Sequence, residues 1–203
     1  MQEKIFSNLT DTAVQVNLPL VGVVLIGGKS QRMGSDKSQL LCANTTLYQN
    51  AANKLSPFCT DIYLSVNKVQ ALENTYEFPL IIDKYDDQGP IAGLLTCLET
   101  LQTPVLFIAC DLPFIRDKDI VDLLANRNSA QWCTMFYNRS LSVYEVLLSV
   151  WEPSSYKHLL EYYKKGGRSL QKFLSRWNIY KTDVPDENYF KNINTLKEWE
   201  AIL

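Results

Sequence analysis

The residues best suited to chemistry lie in one early stretch. Residues 22–40 read G-V-V-L-I-G-G-K-S-Q-R-M-G-S-D-K-S-Q-L. The apolar run 21–26 has the character of a buried strand, and it stops at Gly27 and Gly28. Adjacent glycines at a strand end let backbone N–H groups come close to a ligand. Lys29, Arg32 and Lys37 set positive charge beside those donors, a combination that suits phosphate. The plainer reading is a strand, a turn and solvated cations. The spacing is not that of a Walker A loop, which needs Gly, Lys and Ser/Thr adjacent, nor is it G-x-G-x-x-G.

Further polar residues stand after other apolar runs. Asp111 and Pro113 follow the run 105–109, a carboxylate at a strand end followed by a proline turn. Asp83 follows 80–82. A carboxylate there can accept hydrogen bonds from the N1 and amino groups of guanine, or it can cap a turn. Ser65 and Asn67 end the run 62–66, where a polar turn is an equally good account. Gly89, Pro90 and Gly93 open a helical pattern, with proline suited to its first turn.

Those residues need elements to position them. Strands are predicted over 21–26, 62–66, 80–82 and 105–109, and helices over 47–55, 91–101 and 117–125, with Thr45 or Thr46 as cap of the first helix. Asp117 and Asp119 suit the N-terminus of the last one. Alternating strands and helices predict an α/β fold with a mainly parallel sheet, in which ligands bind at the carboxyl ends of strands. An alternation over 12–18 hints at an extra edge strand. No repeat or linker divides the chain, so 21–203 is read as one domain preceded by an extension, 1–20.

Composition narrows the class. The chain has 203 residues, 46% apolar and 21% charged, with net charge -2. That is an ordinary globular domain and excludes a general binder of nucleic acid or anionic membrane. No apolar run approaches a membrane span, and the N-terminus lacks the apolar core of a secretory signal, so a cytoplasmic location is expected. The five cysteines, Cys42, Cys59, Cys97, Cys110 and Cys133, never form C-x-x-C and read as small buried residues. His158 is the only histidine, which excludes a multi-histidine metal site; it packs or faces solvent.

The 22–40 stretch resembles the opening of the molybdenum cofactor guanylyltransferases, the MobA-type nucleotidyltransferases, whose loop reads L-A-G-G-x-S-x-R-M-G-x-D-K-x-x-L. Leu25, Gly27, Gly28, Ser30, Arg32, Met33, Gly34, Asp36, Lys37 and Leu40 match; Ile26 replaces the alanine. The resemblance continues in G-P-I-A-G at 89–93, in C-D-L-P at 110–113, in G-G-R-S-L at 166–170, and in N-I-N-T at 192–195. It departs where Glu145 stands at a position usually small, in a segment whose usual proline is missing, and where Leu196 replaces proline.

The resemblance implies a single-domain Rossmann-like nucleotidyltransferase fold, a mainly parallel sheet flanked by helices. It implies transfer of GMP from GTP to the terminal phosphate of molybdopterin or Mo-molybdopterin, with Mg²⁺ as cofactor. Arg32, Lys37 and Asp111 would be catalytic, Asp111 holding the metal. Leu25, Ile26, Gly27, Gly28, Lys37, Ser65, Asn67, Asp83, Gly89, Asp111 and Asn192 would surround the nucleotide and metal. Arg168 reaches a phosphate or is solvated; Ser169 caps a helix to residue 177; Asn194 or Thr195 serves the site or caps a final helix, 196–203. Other cofactor-building proteins and acceptor molybdoenzymes are the implied partners, with no nucleic acid and no membrane. A cytidylyltransferase, a sugar-phosphate nucleotidyltransferase and a non-catalytic nucleotide-binding subunit remain as alternatives.

Overall fold

Val21–Leu25 forms β1, every residue of it buried. A strand covered on both faces must be apolar throughout, and V-G-V-V-L is. It ends one residue before the predicted boundary, because the Ile26 carbonyl leaves the ladder for the side chain of Gln70. The structure, a computed structural model, describes residues 19–26, 36–42, 44–85, 89–177 and 179–193. The predicted strand over 12–18, the predicted helix 196–203, and Gly27, Gly28, Lys29, Ser30, Arg32, Met33, Gly34, Asn194 and Thr195 lie outside them.

After β1, a 3-10 turn Lys37–Gln39 leads to a small hairpin, β2 (Leu41–Cys42) and β3 (Thr45–Thr46). Helix α1 (Leu47–Leu55) starts from Thr46, whose hydroxyl accepts the Gln49 N–H in a capping box. β4 (Ile62–Val66) is followed by α2 (Lys68–Glu73), then β5 (Leu80–Ile82), α3 (Pro90–Leu101), β6 (Val105–Ala109) and α4 (Asp117–Ala125). β7 (Cys133–Asn138), β8 (Val143–Trp151), α5 (Ser155–Lys164), α6 (Leu170–Leu174) and β9 (Tyr180–Asp183) complete the described chain, before a 3-10 turn at Glu187–Phe190. Helix α3 starts at Pro90, one residue before the expected start, and α6 ends at Leu174 rather than at 177. Ser169 does cap α6, accepting the Lys172 N–H.

The main sheet has seven strands in the order β5-β4-β1-β6-β8-β7-β9. β1 pairs parallel with β4 and β6, and β4 with β5; β8 runs antiparallel to both of its neighbours. The mainly parallel α/β sheet read from the sequence is therefore the observed one. Helices cover both faces. Val24, Leu106 and Ile108 pack under α1 and α4, while Val23, Leu25, Phe107 and Ala109 pack under α3, α5 and α6. Leu20 is also fully buried, and its carbonyl accepts the Thr60 N–H. His158 stacks on Trp132 with ring centroids 3.9 Å apart. Cys97, Cys110 and Cys133 are buried and free, Cys59 partly so. Among the described residues no helix is long and apolar enough to cross a membrane.

At the end of the sheet remote from the strand carboxyl ends, Arg127 Nε and Nη2 donate to Glu152 Oε1 and Oε2 at 2.7 and 3.1 Å, both side chains 6% exposed. Removing one partner leaves a buried charge, a loss of about 3–5 kcal/mol. Glu152→Ala is expected to unfold in urea with that loss, at the end of the sheet where Trp151 pairs with Val105. Stability near that of the unsubstituted protein would show that the pair contributes little.

Candidate functional site

The strand order sets the site. β1 leads to β4 and β5 on one side, and the chain then crosses back to β6 on the other. The connections leaving the adjacent carboxyl ends of β1 and β6 therefore run in opposite directions along the sheet and leave a crevice between them, the place where open α/β sheets bind ligands. The Cys110 N–H donates to the Leu25 carbonyl at 3.1 Å, which fixes the end of β6 against the end of β1. Asp111 is the next residue.

Asp111 meets Lys37 across this crevice. Lys37 Nζ lies 3.4 Å from Asp111 Oδ2, with the two side chains 12% and 22% exposed. The other carboxylate oxygen, Oδ1, is buried and has no hydrogen-bond partner among the described residues. Burial pushes the Asp111 carboxyl above its ordinary value, and Lys37 pulls it back down. A buried carboxylate oxygen with no partner among the described residues, on an acid beside the Lys37 ammonium, suits a hard metal ion. Mg²⁺ is held by one or two carboxylates and takes its other ligands from phosphate and water. Among the described residues no group of three or more His, Cys, Asp or Glu is gathered for a metal, so Asp111 fits the phosphate-completed kind of site. The C-terminal segment reaches the same turn: the Ile193 N–H donates to the Asp111 carbonyl at 3.1 Å, with exposed Asn192 beside it.

Lys37 owes its place to Asp36. Asp36 Oδ1 accepts the Ser38 N–H and hydroxyl at 2.9 and 2.8 Å, which caps the 3-10 turn. Its Oδ2 accepts from Gln70 Nε2 at 3.0 Å, Tyr76 OH at 3.0 Å and Asn74 Nδ2 at 3.4 Å. Burial first, and then the Asp36 charge, raise the Tyr76 hydroxyl to about 12. Neither Asp36 nor Gln70 is among the expected site residues. The usable signal for Gln70 was N-K-V-Q after a strand, the spacing of a capping box.

A second group gathers at β4, β5 and α3. The Ser65 hydroxyl donates to Asp83 Oδ1 at 3.1 Å, and the Asp83 N–H donates to the Val66 carbonyl at 2.8 Å. Ser65 is fully buried, so it orients the Asp83 carboxylate from beneath. Gly93 makes this arrangement possible, because a Cβ there would lie 2.6 Å from Ser65 Oγ and 2.9 Å from Leu25 Cδ1. Gly89 precedes α3 with φ of 74°, a conformation glycine adopts without strain.

Other expected residues are placed differently. Asn67 is the N-cap of α2: its side-chain oxygen accepts the Gln70 N–H at 2.9 Å, the polar-turn alternative of the two readings. The Leu25 carbonyl is taken by Cys110, the Ile26 N–H by the Ser65 carbonyl, and the Ile26 carbonyl by Gln70. Backbone contact to a ligand from this stretch would fall to Gly27 and Gly28, which with Arg32 lie outside the described residues. Arg168 donates to the carbonyls of Tyr163 and Gly167 and stacks over Tyr163 at 4.0 Å. Glu145 lies half-buried on β8, and burial raises its carboxyl.

Known proteins are similar to this chain. The family model of the MobA-like NTP transferase domain matches residues 22–179. A molybdenum cofactor guanylyltransferase of Haemophilus influenzae (strain 86-028NP) is 29% identical over 191 residues, 90% of this chain and 97% of that protein. A molybdenum cofactor biosynthesis bifunctional protein of Synechocystis is 32% identical over 140 residues, 66% of this chain but 40% of that longer protein. Among solved structures, molybdopterin-guanine dinucleotide biosynthesis protein A from Archaeoglobus fulgidus matches with a TM-score of 0.74 at 23% identity, over 90% of this chain and 96% of that one. That last likeness speaks to the fold.

The Asp111 environment sets a sign for stability. Its carboxyl titrates above the ordinary 3.8 in the folded state. The folded protein thus binds this proton more readily than the unfolded chain does. The resulting stability is full below 3.8 and is lost as pH rises through the raised value. Asp111→Asn is therefore expected to melt at or above the temperature of the unsubstituted protein at neutral pH, the gap closing as pH falls toward 3.8. A melting temperature several degrees lower at neutral pH would mean that Lys37 outweighs burial.

Proposed function

We infer the function from a plain premise: the chain belongs to the MobA-like NTP transferase family, a family of nucleotidyltransferases. We propose that it transfers GMP from GTP to the terminal phosphate of molybdopterin, with or without bound molybdenum. A phosphate oxygen of the acceptor forms a bond to the α-phosphorus of GTP. The bond from that phosphorus to the β-phosphate bridging oxygen breaks, and pyrophosphate leaves. The observation that carries the reading is Lys37 facing Asp111 at the strand-order switch, with one carboxylate oxygen left unpaired. The substrate pair is supported by relatives named molybdenum cofactor guanylyltransferase that match over nearly their whole length.

Such a reaction asks little covalent help of a protein; positioning and charge neutralisation supply most of the rate. Asp111 would hold Mg²⁺, which when bound neutralises phosphate charge and polarises the phosphoryl group under attack. Lys37 would face the charge that grows on departing pyrophosphate, Arg32 would share that load, and the Gly27 and Gly28 amides would hold phosphate oxygens. Asp83, oriented by Ser65, would accept from guanine N1–H and the exocyclic amine. Gly89 and Asn192 would border the bound nucleotide and metal. The setting we propose is the cytoplasm, with other cofactor-building proteins and acceptor molybdoenzymes as partners.

Two outcomes test this. GTP is expected to bind about tenfold to a hundredfold better than CTP or ATP, because a base donor left unpaired in a buried site costs about 1–3 kcal/mol. Calorimetry giving equal affinity for CTP and GTP would move the assignment to a cytidylyltransferase. Lys37→Ala is expected to lose about 10²–10³ in kcat, the scale of one preorganised charge-stabilising donor, with a smaller loss of GTP affinity. The measurement is pyrophosphate release with GTP, Mg²⁺ and molybdopterin, beside the GTP Kd. A kcat that holds while Kd weakens would make Lys37 a binding residue only.

A further inference from the structure

Residues 27–35 connect β1 to the Lys37 turn, and one side chain ties the chain on both sides of them. Gln70 Nε2 donates to the Ile26 carbonyl at 2.9 Å and to Asp36 Oδ2 at 3.0 Å. Gln70 Oε1 accepts the Asn67 N–H at 3.3 Å, so both ends of the amide are engaged. The residue is 7% exposed. An amide nitrogen carries two protons, and here each has its own acceptor, one on each side of the glycine-rich segment.

We propose that Gln70 is a positioning residue for nucleotidyl transfer, clamping Ile26 to Asp36 so that Lys37 is held facing Asp111. Ile26 is the last described residue before the two glycines, and Asp36 immediately precedes Lys37. Fixing the separation of those two points removes conformational freedom from the intervening chain before any ligand arrives. Charge-stabilising groups lower a barrier most when they need no reorganisation at the moment of reaction. The bond to Asp36 is charge-assisted and so among the stronger hydrogen bonds available. The inference rests on the reading of Lys37 as a group that stabilises departing pyrophosphate.

Gln70 also completes the capping box of α2, and a purely structural role must be separated from the clamp. The two roles use different atoms. The capping box needs only the Oε1 acceptor, which glutamate supplies equally well. The clamp needs the Nε2 donors, which glutamate lacks. Gln70→Glu therefore keeps the helix start and sets a carboxylate against the Ile26 carbonyl and the Asp36 carboxylate. Gln70→Leu removes both functions and serves as the second variant.

The expected result is a kcat for pyrophosphate release about tenfold or more lower in Gln70→Glu, the scale of one lost hydrogen bond, with KM for GTP changed less. In a Lys37→Ala background the same substitution is expected to change kcat by less than about threefold, because both act through one ammonium group. Lowering pH from about 8 to about 6 should partly restore the variant relative to the unsubstituted enzyme, as a protonated carboxyl can donate one of the two bonds. A near-normal kcat, or a full additive loss in the Lys37→Ala background, would overturn the clamp. Should the unsubstituted protein release no pyrophosphate from GTP, the functional reading fails instead. Hydrogen exchange then decides the clamp: amides of residues 36–40 exchanging about tenfold faster in Gln70→Glu support it, and unchanged exchange overturns it.

Discussion

A buried carboxylate oxygen without a partner among the described residues calls for a cation, and Asp111 carries such an oxygen at the crevice. Leaving such a group unpaired is costly, and a protein can lower the cost by protonating it, pairing it or giving it a metal. Burial pushes Asp111 toward the first solution, and Lys37 supplies part of the second. The fold holds the group in place regardless. The Cys110 N–H is fixed to β1, and the Asp111 carbonyl is fixed to Ile193. A chain that holds a partly satisfied acid so rigidly gives up stability at that turn.

Asp36 shows the opposite treatment of the same side chain. Its two oxygens accept from five donors: the Ser38 N–H and hydroxyl, Gln70, Asn74 and Tyr76. With its lone pairs occupied, it is a structural anchor and not a ligand. Tyr76, held protonated with its hydroxyl raised to about 12, remains a donor across the physiological range. The signature D-K thus divides into a carboxylate spent inside the protein and an ammonium freed by it. Asp83 lies between these extremes, with one oxygen fixed by Ser65 beneath it.

How far this could be read in advance varied with how local the cause was. Ile62–Val66, Leu80–Ile82 and Val105–Ala109 match their observed bounds, because parallel strands carry mostly apolar runs, unbroken in Val105–Ala109, which is buried throughout. β7 escaped notice because C-T-M-F-Y-N lacks alternation, and β9 because Y-K-T-D is short and polar at the sheet edge. Asp111 and Asp83 stood out as acids closing such runs. Ser65 and Asn67 were noticed for the same reason, yet burial and a helix cap claim their side chains. The capping-box spacing of Gln70 is legible, but its bond to Ile26 is not, since Ile26 lies 44 residues away and only the pairing of β1 with β4 brings them together.

The half of the sheet beyond β6 follows a different logic. Ile108 pairs with Leu148 on the antiparallel strand β8, so Asp111 and Glu145, each three residues on from that pair, emerge at the same end of the sheet. Glu145 is half-buried, its carboxyl raised first by burial and further by Glu187, while Asn138 lowers it. Nearby, Tyr137 and Tyr144 meet edge to face, Lys181 lies 3.8 Å over Tyr137, and Arg139 pairs with Asp183. None of these contacts depends on the parallel register that places Asp83, Lys37 and Asp111. The β5-β4-β1-β6 half is constrained by parallel strand ends that carry Asp83 and Asp111 to the same edge of the sheet. Glu145 thus shares an end of the sheet with Asp111 but reaches it through antiparallel pairing, not through the parallel strand ends that carry Asp83 and Asp111.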